Sequence, residues 1–264
     1  MKKKIVFIIV FLGLGYLLAM FLSRKDSQTP TTIQVPATVS IPDANIPSAQ
    51  SSGTIDVAPN QTTANANGQS VKLNVPFVLQ APFGNWSDSV FQNACEESSV
   101  VMAMGWINSV ATISPADAQK QILDIVNFEN NTFGYNADTS VFDVQKIFQQ
   151  YFKQQNVSVR ENIAVADIKN ELQKGDLVLV PAFGQDLGNP NYTAPGPVEH
   201  MLVITGYDPA TKEFITNDPG TKHGANYRYN ENVLFNAIWE YPSSAQTVPI
   251  PTGIFKKAMI VVQK

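Results

Sequence analysis

Ala94-Cys95-Glu96-Glu97-Ser98-Ser99-Val100-Val101-Met102-Ala103-Met104 sets the single cysteine of a 264-residue chain at the start of an apolar helical segment. Val100, Val101, Met104 and Ile107 recur at helical spacing, and Gly105 leaves room for a neighbouring element to approach, so residues 96 to 108 read as a central buried helix. A lone thiol forms no intramolecular disulfide and supplies no thiolate zinc cluster. Two uses remain for Cys95, a small buried hydrophobe or a reactive nucleophile. The residues about a hundred positions later have to decide between them.

Outward from this helix the pattern is helices first and strands after. Ser114-Pro115-Ala116-Asp117 combines a capping residue, a proline at the first helical position and an acid three residues past the cap. That predicts a second helix carrying Ile122, Leu123, Ile125 and Val126. Thr139 is expected to cap a third, with Val141, Val144, Ile147, Phe148 and Tyr151 on one face, and residues 165 to 173 form a fourth before Gly175-Asp176. Four β-like runs follow, at residues 177–180, 201–205, 213–216 and 257–262, separated by turns with Gly or Pro. Residues 75–80 read as a short extended lead-in to the turn-rich loop Pro82-Phe83-Gly84-Asn85-Trp86. The expected fold class is α+β, a helical lobe packed on an antiparallel sheet with the site in the cleft between them.

The amino terminus bears on location. After Met1-Lys2-Lys3-Lys4 the chain is uncharged and apolar from Ile5 to Leu22, long enough as a helix for roughly 27 Å, about the thickness of a bilayer core. No small-x-small cleavage site closes this run, so residues 1–25 read as an uncleaved membrane anchor, with secretion after signal cleavage as the alternative. The lysines before the span keep the amino terminus cytoplasmic and put the rest outside the cytoplasm. Residues 26–70, rich in Ser, Thr, Pro, Gln and Asn, form a linker without hydrophobic period, and residues 71–264 form one domain. That domain is net −6 once the five basic residues of the first 25 and the three linker acids are set aside, which argues against nucleic acid as a partner. Two histidines and one cysteine give no metal site, and no motif calls for a cofactor.

A cysteine nucleophile needs a base, and the base needs an orienting partner. His200 opens the strand His200-Met201-Leu202-Val203-Ile204-Thr205-Gly206-Tyr207-Asp208, whereas His223 lies in a glycine-containing loop where a solvated role is ordinary. Asn217 and Asp218 end the next strand, so antiparallel pairing brings either beside the His200 imidazole, although Asn-Asp-Pro-Gly is also common turn chemistry. For the developing oxyanion, Gln80 and Gln92 are both near enough to Cys95 to offer an amide.

The order of Gln, Cys at a helix start, His on a strand and Asp or Asn after the next strand resembles the papain-like cysteine peptidases. More closely, Val75-Pro76-Phe77 through Gln80, the Cys95 helix, the His200 strand and Asn217-Asp218-Pro219-Gly220 resemble the C39-like peptidase family over most of residues 71–264. The resemblance implies a papain-like fold and a Cys-His-Asp triad of Cys95, His200 and Asp218, with Gln80 at the oxyanion hole. It also implies a peptide or protein substrate. Family members commonly follow the cysteine with Gly-Pro, whereas this chain has Glu96-Glu97, acids that suit a helix dipole yet disfavour a neighbouring thiolate. A cell-wall peptide amidase, an acyl transferase, or an inactive surface binding module with an aromatic rim at Trp86 and Tyr192 are the competing readings.

Overall fold

The computed structural model describes residues 69–243 and 253–264. The expected anchor at residues 1–25, and the linker up to residue 68, lie outside the described residues. Among the described residues no helix is long and apolar enough to cross a membrane.

The fold is α+β. After the short strand β1 (Val71–Lys72) come four helices, α1 (Ser89–Gln92), α2 (Cys95–Ile107), α3 (Pro115–Thr132) and α4 (Val141–Lys146), the last continued by a π-helical turn at Ile147–Tyr151. Then follow β2 (Val157–Glu161), α5 (Val165–Lys174), β3 (Leu177–Phe183), β4 (Glu199–Asp208), β5 (Glu213–Asn217), β6 (Tyr227–Asn230), α6 (Glu231–Ala237) and β7 (Ala258–Val262). The sheet runs β2-β7-β3-β4-β5-β6 with every neighbouring pair antiparallel, and β1 pairs with β4.

Local chemistry accounts for the helix boundaries. Ser114 caps α3 through its hydroxyl and the Asp117 amide, with Pro115 at the first position where its missing N–H has no partner to lose. The α4 cap is Ser140, one residue beyond the expected Thr139, and it accepts from the Asp143 amide. Gly175 ends α5 at φ 88°, a left-handed conformation that glycine adopts without penalty. Residues 75–80 are irregular rather than strand, and the extended pairing in this region falls earlier, at β1. Pro76 there packs closely on α2, where a Cβ at Gly105 would meet Pro76 Cγ at 2.6 Å.

Strands β3 and β7 are buried at every residue, so the sheet is covered on both faces. Leu177, Leu179, Met201, Val203, Ile260 and Val262 meet the helices α2, α3 and α4 in one core. The alternate residues Val178, Val180, Leu202, Ile204, Met259 and Val261 pack against Ile168 and Leu172 of α5 and Leu234 and Ala237 of α6. The expected single helical lobe is therefore two helical layers flanking a sheet. Helix α2 has only a weak one-sided pattern because it lies inside the protein, buried at 11 of its 13 residues, Glu96 and Glu97 among them.

Candidate active site

The start of α2 is delivered by the loop that contains Gln80. The Gln80 backbone N–H donates to the Pro219 carbonyl at 3.1 Å, tying this loop to the turn after β5. Its side-chain Nε2 donates to the carbonyls of Phe91 and Gln92, both at 3.0 Å. Those two bonds fix the chain three residues ahead of Cys95. Cys95 is the first residue of α2, so its backbone N–H has no intrahelical partner.

A cavity of about 410 Å³ opens over Cys95, and Gln80, Trp86, Tyr192, Glu199 and His200 line it too. His223 and Gln92 lie on its wall as well, with His223 exposed in the loop, as expected of it. His200 is buried, 1% exposed, even though it begins a strand. Its Nε2 bonds Asp218 Oδ1 at 2.9 Å. Asn217 is turned elsewhere: its Nδ2 donates to the Val75 carbonyl at 3.2 Å, and its Oδ1 accepts the Asn226 amide at 3.1 Å. Of the two candidates for orienting the imidazole, Asp218 is therefore the one in contact with it.

Asp218 has no exposed surface and accepts from every side. Besides His200, the Gly220 amide donates to Oδ1 at 3.0 Å, and the hydroxyls of Tyr192 and Tyr229 both donate to Oδ2 at 2.6 Å. Asn189 Nδ2 adds a contact to Oδ2 at 3.3 Å. Burial by itself would raise this carboxyl; the imidazole and the two tyrosines outweigh it and hold Asp218 below its ordinary range. Both tyrosine hydroxyls are pushed up, first by burial and then by the Asp218 charge. An ionised Asp218 requires Nε2 of His200 to carry the proton, which leaves Nδ1 as the acceptor on the other edge of the ring. Tyr192 also packs edge-on against His200, with ring centroids 5.6 Å apart.

The thiol stands differently. Cys95 Sγ donates to Glu96 Oε2 at 3.0 Å, and no hydrogen bond joins it to His200 among the described residues. Burial, then the charge of Glu96, pushes the thiol well up, while the backbone amide of Met201, next to His200, favours the thiolate. Glu96 is raised to about 7, chiefly by burial, and its Oε1 accepts the Tyr241 hydroxyl at 2.6 Å. Below it Glu97 and Glu129 are also buried, and none of their carboxyl oxygens has a hydrogen-bond partner among the described residues. Burial raises Glu97 strongly and brings Glu129 up to about 8.

The residues that sequence reasoning missed here are Asn189, Tyr229, Glu129 and Tyr241. Each reaches the site from a distant segment, and none carries a local signal beyond its polarity. No group of three or more metal-ligating acids, histidines or cysteines is present among the described residues.

The family described as Peptidase_C39 like matches residues 72–246, a span that contains every residue above. The chain belongs to that family. A crystal structure provisionally described as a C39-like peptidase from Bacillus anthracis is similar at 15% identity over 74% of this chain and 98% of that one, with a TM-score of 0.47. A search of the curated proteins finds no match. Within a C39-like peptidase chain, the cavity over Cys95 is the natural candidate for the site of bond cleavage.

Proposed function

We propose that this chain is a papain-like cysteine peptidase, and that the observation carrying this reading is the His200–Asp218 pair beside a cavity that also exposes Cys95. Cys95 attacks an amide carbonyl, His200 Nδ1 accepts the thiol proton and returns it to the leaving amine, and Asp218 steadies the imidazolium between the two steps. The backbone N–H of Cys95 is the first oxyanion donor, being free of an intrahelical acceptor. Gln80 is the second, on condition that substrate binding draws one Nε2 hydrogen from the loop carbonyls that now hold both. Trp86 and Tyr192 border the cleft as walls for substrate side chains.

The expected location is the outer face of a membrane, with residues 1–25 as the anchor and residues 26–70 as the tether. The reaction is tested by incubating wild type and Cys95→Ala with a peptide library and with peptidoglycan fragments, followed by mass-spectrometric product mapping. Cleavage of linear peptides that disappears in Cys95→Ala supports the peptidase. Cleavage confined to cell-wall peptides moves the assignment to an amidase, and equal cleavage by both proteins removes the thiol from the mechanism.

A further inference from the structure

The residue after the proposed nucleophile is a carboxyl group sealed inside the protein. Glu96 is 1% exposed, accepts a 3.0 Å hydrogen bond from the Cys95 thiol on Oε2, and accepts one of 2.6 Å from the Tyr241 hydroxyl on Oε1. Both donors are arranged for an acceptor, which is what an ionised carboxylate is. The titratable groups facing it are Cys95 and Glu97 from α2, Glu129 from α3, Asp138 from the segment before α4, and Tyr241 from the segment after α6. None of them is a cation. Beyond Asp138 lies Glu199 on the cavity wall, again an acid. A thiolate formed beside an ionised Glu96 would put two negative charges within hydrogen-bond distance at a buried site, with the Met201 amide and a protonated His200 to offset them.

We propose that Glu96 sets the charge state of the nucleophile: as a carboxylate it holds the Cys95 thiol proton and keeps the sulfur neutral, and once protonated it releases the sulfur to act as a thiolate. The proposal rests on the cysteine peptidase reading above. Glu96 takes one proton from solvent, the thiol proton moves to His200 Nδ1, the sulfur keeps the electron pair, and the new Glu96 O–H donates to it. Burial lifts the Glu96 carboxyl to about 7, so the exchange falls within the range of ordinary buffers. The sign follows directly: nucleophile formation is favoured below that value and opposed above it, where the second negative charge appears.

Because Cys95 is the only cysteine, its alkylation by iodoacetamide reads the thiolate directly, with no need for a peptide substrate. Rates are measured for wild type, Glu96→Gln, Tyr241→Phe and His200→Ala at about pH 5.5 and about pH 8, the Glu96 window. Glu96→Gln removes the charge and supplies an amide N–H, so it is expected to match wild type at the lower pH and to exceed it at least about tenfold at the higher one. A role confined to packing would change both rates alike, and an equal ratio at the two pH values overturns the proposal. Tyr241→Phe removes the hydroxyl that favours the carboxylate. Wild-type reactivity should then persist to higher pH, and an unmoved profile counts against the proposal even if Glu96→Gln does not fold. His200→Ala separates the two claims. Loss of the low-pH reactivity is expected; full retention overturns the peptidase reading, while the Glu96→Gln ratio still decides the role of Glu96.

Discussion

Glu129→Gln tests the buried acid cluster beneath Cys95 through the pH dependence of stability. In the folded chain Glu129 is raised from 4.5 to about 8 because burial penalises its charge. The unfolded chain ionises the same carboxyl near 4.5. Between these values the native state holds a proton that the unfolded state has lost, so stability falls as pH rises from about 4.5 to about 8 and is flat for this group outside that window. At about 1.36 kcal/mol for each pH unit, the interval of about three and a half units amounts to a loss of about 5 kcal/mol, a large part of a domain's total stability. The depressed carboxyls Asp143, Asp208, Asp218, Glu213 and Glu231 work in the opposite direction, but they titrate below this range. The assay is urea unfolding followed by tryptophan fluorescence at several values between about pH 5 and about pH 8, the window set by linkage. Wild type should lose several kcal/mol across the window, and Glu129→Gln should lose about 2 kcal/mol less at minimum, because one of the linked protons is gone. A wild-type protein equally stable at both ends would refute the picture of a carboxyl kept protonated by burial.

Other perturbations reach the parts around it. Tyr192→Phe removes one hydrogen bond to the Asp218 carboxylate and is expected to cost about 1.5–3 kcal/mol in urea unfolding, with the Tyr229 bond remaining. The double change Tyr192→Phe with Tyr229→Phe lets burial raise Asp218, so the acid limb of kcat/KM should move to higher pH in a pH-rate profile. Cys95→Ala should leave the unfolding midpoint within about 1 kcal/mol of wild type, since a small side chain remains at the helix start, while peptide turnover falls about a thousandfold or more. Ser114→Ala removes the α3 cap far from the cleft and should cost about 1 kcal/mol of stability with unchanged turnover.

Much of this arrangement is legible in the chain because its signals are local. Ser114-Pro115 marks the start of α3, Gly175 marks the end of α5, and the apolar run Leu177 to Val180 lies in a strand. Strand β2 escapes such reasoning: Val157 to Glu161 follows a glutamine-rich stretch and is a strand because it pairs with β7, about a hundred residues away. In the site, the order of Cys95 and His200 is visible, but the choice between Asp218 and Asn217 is not. Adjacent residues of a turn carry equivalent local signals, and only the folded register sends Asp218 to the imidazole and Asn217 to the Val75 carbonyl. Glu96 and Glu97 mislead for a related reason. Acids in a first helical turn normally face water, and their burial comes from the segments of Tyr241 and Glu129 packing over α2. Gln80 lines the same cavity as Cys95, yet its amide is engaged in holding the loop.

In the proposed reaction Cys95 becomes acylated by a peptide with help from His200. Intact-mass spectrometry after incubation with a peptide thioester and an acid quench reads the acyl-enzyme, formed as the thioester's own thiol leaves. A single adduct on Cys95 is expected in wild type, none in Cys95→Ala, and a rate reduced at least about a hundredfold in His200→Ala, the order expected for loss of the general base. An adduct on another residue, or equal rates in wild type and His200→Ala, would contradict it.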